Sequence, residues 1–125
     1  MNTAQLARSV YARPDAPQRN PRAVEYDLFA RITRALSDAW AAREADHPAL
    51  VRALHDNGRL WRTLAGDLAE PGNGLPAELK ARLFWLHEFS EAHGRKVLAG
   101  TGDAAVLVEI NTAVMRGLRG EGAAS

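Results

Sequence analysis

Four stretches of this chain repeat their apolar residues at the spacing of an α-helix, and proline or glycine marks the breaks between them. No run alternates apolar and polar residues for long enough to argue a strand, so the apolar faces have to be buried by packing helix on helix. The first stretch opens with Asn20 as an N-cap and Pro21 at the first helical position, where a missing N–H breaks no bond. At roughly 100° per residue, Val24, Leu28, Ile32, Ala35, Leu36 and Ala39 share a face that Phe29 and Trp40 widen. The second stretch starts from an Asp46 cap and aligns Leu50, Leu54, Trp61, Leu64 and Leu68, with Asn57 on the same face. After the turn-forming "EPGNGLP", Pro76 begins a third helix that puts Leu79, Leu83, Leu86 and Val97 in line, with Phe89 and His93 at the edge. Gly100 is suited to end that helix with positive φ, and Asp103 to cap the next.

The fourth stretch, "VLVEINTAVMRGL", is the most apolar in the chain. Leu107, Ile110, Val114 and Leu118 form its face, and Asn111 falls inside it. At 125 residues the chain suits one domain. The expected fold is all-α, a bundle of four main helices with a short N-terminal helix. Residues 1–19 read as that helix and a Pro-rich linker, 20–118 as the bundle and 119–125 as a flexible tail.

Sixteen Lys and Arg against 15 Asp and Glu leave a net charge of +1, so no overall field draws the protein to nucleic acid or to an anionic membrane. With no cysteine there is no disulfide, thiolate metal site or cysteine nucleophile. No apolar run reaches membrane-span length, and Arg8 interrupts the N-terminus where a signal peptide needs its apolar region. A cytoplasmic protein is expected.

Catalytic chemistry is hard to assemble from these residues. His47 precedes a proline at a helix start, His55 faces solvent by periodicity, and His87 and His93 stand six apart, off the three- or four-residue spacing that aligns metal ligands on a helix. His93 reads as a core-edge residue donating to a neighbour. Glu88 and Glu91 point outward, no serine sits in a G-x-S-x-G context, and Gly72 and Gly74 lack the G-K-[ST] that a phosphate cradle needs. No enzyme activity, metal or cofactor is expected.

Asn57 and Asn111 are the polar residues on apolar faces. A buried amide must find hydrogen-bond partners, and bonding to each other is one solution; such residues fix helix register at some cost in stability. Phe84 and Trp85 fall to opposite sides of the third apolar stripe, while Val108 and Met115 widen the last helix beyond the single stripe needed to dock it. These four are candidate partner-binding anchors, Met115 for its adaptable thioether. Arg8, Arg13, Arg19 and Arg22 against Asp15 make the front segment basic, with Tyr11 its one aromatic.

Several stretches carry a family likeness in their order and spacing: "AR" and "YAR" at the front, "PRAVEYDLFARITRAL", "ALHDNGRLW" followed by "DL", "NGLP", and "VLVEIN" with Gly117 and Leu118. Together they resemble the FlaF family of small flagellar proteins over nearly the whole chain. The resemblance implies a cytoplasmic regulator of flagellar biosynthesis, needed for flagellin synthesis or secretion and viewed as a flagellin chaperone. It implies flagellin as partner and a link to FlbT, which acts on flagellin messenger RNA, and it transfers no catalytic residue. The expected mechanism is a helical bundle holding an amphipathic flagellin segment. The alternative is a post-transcriptional regulator that binds flagellin mRNA or FlbT through the basic front segment.

Overall fold

The computed structural model describes residues 21–118 as four helices, α1 Pro21–Ala41, α2 His47–Leu68, α3 Ala77–Leu98 and α4 Ala105–Leu118. The expected N-terminal helix, the Asn20 cap, Arg8, Arg13, Arg19 and the tail lie outside the described residues, as do the side chains of Arg22, Val24 and Leu118.

Local chemistry sets the helix ends. Asp46 Oδ1 accepts from the Ala49 N–H at 3.1 Å, satisfying a first-turn donor of α2. In the α2–α3 connection, Asn73 Nδ2 donates to the Asp67 carbonyl at 3.2 Å and Asn73 Oδ1 accepts from Leu75 N at 3.0 Å. Pro76, expected to begin the third helix, is its N-cap: ψ of 144° holds it outside helical geometry, while its carbonyl accepts from Lys80 N at 3.0 Å. At the other end of α3, Gly100 adopts φ +80°, Gly100 N donates to Val97 O and Thr101 N to Lys96 O, a Schellman closure that satisfies two terminal carbonyls. A Cβ on Gly102 would stand 3.0 Å from Lys96 Cβ and 3.2 Å from Val97 N, so the chain turns back against α3 only with glycine there. Asp103 Oδ1 then accepts from Ala105 N at 2.7 Å and caps α4.

The helices pack around two apolar clusters. One gathers Leu36 and Ala39 of α1, Leu50, Ala53 and Leu54 of α2, Val97 of α3, and Ala104 and Leu107 at the start of α4. The other centres on Leu60 and on Phe29 and Trp61, the rings of the latter two meeting edge to face at 5.9 Å, with Leu83, Leu86, Ile110, Val114 and Met115 packed against it. The end of α1 thus meets the start of α2, and the end of α3 meets the start of α4. Each helix therefore runs antiparallel to its neighbour in sequence, as short connections favour. α1 packs on α2 and α4, α3 packs chiefly on α2, and the α3–α4 contact is the thinnest.

Two apolar faces differ from expectation. The buried arc of α1 is centred on Phe29, Thr33 and Leu36, and Ala35 is exposed. Because α1 lies between α2 and α4, its buried centre follows those two neighbours rather than the densest apolar stripe. Leu79, placed in the α3 stripe, is 40 % exposed because the first turn of α3 runs past the edge of the second cluster. Leu36→Ala is therefore expected to cost about 2–5 kcal/mol, whereas Leu79→Ala should stay within about 0.5 kcal/mol of the parent. Urea melts giving equal losses for the two would contradict this packing.

Candidate functional site

Between the two clusters lies a buried polar node. Asn111, fully buried, donates from Nδ2 to Asn57 Oδ1 at 2.7 Å and to Thr33 Oγ1 at 3.1 Å, and its Oδ1 accepts from Trp61 Nε1 at 2.9 Å. Three of the four hydrogen-bonding positions of this amide are thereby filled, by residues from α1 and α2. Both expected Asn residues are in the node and bonded to each other. Thr33 and Trp61 complete it, and sequence reasoning missed them because a threonine and a tryptophan on a helix face look like ordinary seam residues.

α3 is the helix least covered by the others: only Ser90 and Val97 are buried, and Leu79, Trp85, Phe89 and Leu98 are all exposed. Its two flanks differ. On one, Trp85 stacks on Phe89 with centroids 5.5 Å apart, and Phe89 stacks on His93 at 5.8 Å. The i, i+4 spacing of 85, 89 and 93 builds this ladder, since residues four apart lie one above the other on a helix. His93 anchors it: Nε2 lies 2.8 Å from the Asp103 carbonyl, which only accepts, so the ring donates there. The compact Gly100–Asp103 turn thus fixes the end of the aromatic row, and Trp85, 61 % exposed, is its free end.

On the other flank, toward α2, runs an open groove of about 290 Å³. Its floor is Leu54, Gly58 and Trp61 of α2 facing Ser90 and Gly94 of α3; the smallness of Ser90 and Gly94 makes the space, while the Arg62 guanidinium lies over Gly58. Exposed Val51 and Leu98 form apolar walls. Arg62 bridges to Glu91 at 2.9 Å on the rim, where Arg95 and His55 also stand. Glu91, expected to point outward, is half-buried by this pairing.

The four candidate anchors are not brought together. Trp85 is exposed and Phe84 half-buried, on opposite flanks of α3. Val108 packs against the first cluster and Met115 against the second, and both are half-buried. A single docking stripe was too narrow an expectation for α4, which contacts both α1 and α3 and contributes to both clusters. Among the described residues, most of the exposed large apolar side chains lie on α3 instead. Among the described residues no group of three or more His, Asp or Glu side chains is placed to hold a metal ion, and no helix is long and apolar enough to cross a membrane.

A family model described as flagellar protein FlaF matches residues 7–118. No curated protein and no solved structure matches the chain.

The node makes a quantitative prediction. Asn111→Leu leaves buried Trp61 Nε1 without its acceptor and strips Asn57 and Thr33 of a donor, at about 1–3 kcal/mol for each group left unsatisfied. Adding Asn57→Leu removes one of those stranded groups, so the double variant should lose less than the sum of the single losses, by about 0.5–3 kcal/mol. Strictly additive losses in denaturant melts would show that the two amides do not act as a unit.

Proposed function

The chain belongs to the FlaF family of flagellar proteins, and from that premise we propose that it is a cytoplasmic flagellin-binding chaperone that promotes flagellin synthesis and secretion. A filament subunit carries amphipathic helices that pack on its neighbours once assembled. A chaperone has to cover such a helix and later release it, which calls for a few strong anchors on an otherwise modest surface. The observation that carries the reading is the exposed aromatic row on α3: Trp85 and Phe89 stacked, 61 % and 37 % exposed, on a helix that the core holds by one face. Large aromatic side chains of this kind enter the groove or lie on the apolar face of a partner helix, and tryptophan is enriched among the residues that carry most of the energy of such contacts. Regulation of flagellin output follows from this activity, because subunits held unassembled remain available for export.

The alternative, direct action on flagellin mRNA or through FlbT, draws on the basic front segment. The two readings separate by salt. Phosphate contacts weaken steeply as salt rises, whereas docking of apolar side chains does not. Purified flagellin monomer should co-elute with the protein, and Trp85→Ala should weaken that association by about 1–2 kcal/mol or more while shifting the thermal midpoint little, because the ring is largely exposed. Absence of co-elution with flagellin rejects the chaperone reading; retention of RNA that is lost at high salt would favour the alternative.

A further inference from the structure

The groove between α2 and α3 lies on the flank of α3 opposite the aromatic row, and the docking of Trp85 does not account for it. Its chemistry is specific. Val51 and Leu98, 40 % and 48 % exposed, wall a cleft floored by Gly58 and Gly94. A Cβ built on Gly94 meets nothing within 4 Å, so the space above it is wide enough to take an incoming side chain. Ser90, 4 % exposed, lines the same cleft, and its Oγ has no hydrogen-bond partner. The rim carries Arg62 and Arg95 against Glu91 alone. Glu91 is taken up by Arg62 at 2.9 Å, and among the described residues no carboxylate pairs with Arg95.

We infer that this groove is a second docking site, taking an amphipathic helix that lays an apolar ridge between Val51 and Leu98, with a carboxylate one turn away from the ridge meeting Arg95. Charge chooses the occupant. The chain's own front segment carries Arg8, Arg13 and Arg19 against Asp15, the same sign as the rim, and is therefore a poor fit. An acidic amphipathic helix of a separate protein is complementary. The inference rests on the chaperone reading, and on that reading the helix belongs to flagellin. α3 then touches its client on both flanks, through Trp85 on one and through the cleft on the other. Two moderate contacts on one client raise affinity through effective concentration while each alone remains readily broken.

The test titrates purified flagellin monomer against the full chain and three variants. Gly94→Leu fills the cleft from a helical position with open space, so its thermal midpoint should equal or exceed that of the parent. Arg95→Glu reverses the rim charge at an exposed residue. Gly94→Leu is expected to weaken flagellin binding about tenfold or more, Arg95→Glu to weaken it most at low ionic strength, and Trp85→Ala to act independently of both. Should the parent bind flagellin while Gly94→Leu and Arg95→Glu bind it equally well, the groove inference is overturned and the chaperone reading stands. Should the parent not bind flagellin at all, the chaperone reading fails and the inference with it. Where Gly94→Leu proves unstable, Arg95→Glu decides alone. A change of oligomeric state in Gly94→Leu, or loss of its effect once residues 1–19 are removed, would place a second copy or the front segment in the cleft and likewise overturn the proposal.

Discussion

The amide of Asn111 is the constraint on which the bundle depends. It is fully buried, and its bonds run to Thr33 on α1 and to Asn57 and Trp61 on α2. Apolar seams alone tolerate sliding, since one leucine fits much as another does. An amide does not, because a slip of one residue turns it by about 100° and strands several buried groups at once. The amide thus joins three helices by hydrogen bonds, and the Phe29–Trp61 pair lies beside it. α3 contributes nothing to the node. It is held by Val97 in one cluster, by Leu83 and Leu86 against the other, by the Arg62–Glu91 bridge and by the His93 bond to Asp103.

That division of labour explains where the exposed apolar surface lies. Among the described residues, the three helices tied by the node keep their large apolar side chains buried or half-buried, Val51 excepted. α3, docked by a narrow face, shows Leu79, Trp85, Phe89 and Leu98 to solvent. A rigid base with one sparsely covered helix suits reversible binding: the partner meets a preformed surface, so little ordering has to accompany docking. Membership of the FlaF family places such a surface in flagellar biology, and the proposed flagellin contact gives the aromatic row a use that stability does not require of it.

Much of the fold was legible from spacing. The four helices, the Asp46 and Asp103 caps and the positive φ of Gly100 follow from local rules that act within a few residues. Asn57 and Asn111 stood out because an amide on an apolar face needs a partner, although the sequence could not say that Thr33 and Trp61 share it. What failed was anything set by several neighbours at once. The burial of Thr33 and exposure of Ala35 depend on α1 lying between two helices. Val108 and Met115 looked spare only so long as α4 was given a single neighbour. The groove was out of reach for the same reason, because Leu54 and Trp61 on one helix and Ser90 and Gly94 on another enclose it only when brought face to face. The aromatic row could have been found, since 85, 89 and 93 stand at i, i+4 intervals.

On the proposed function, α3 meets flagellin while the helices tied by the Asn111 node serve as its support. Amide hydrogen exchange of the full chain, followed with and without saturating flagellin monomer, tests this directly. Slowed exchange along α3 from Phe84 to Leu98, with α1 unchanged, is the predicted result. Binding that leaves α3 unprotected, or that protects α1 instead, would contradict it.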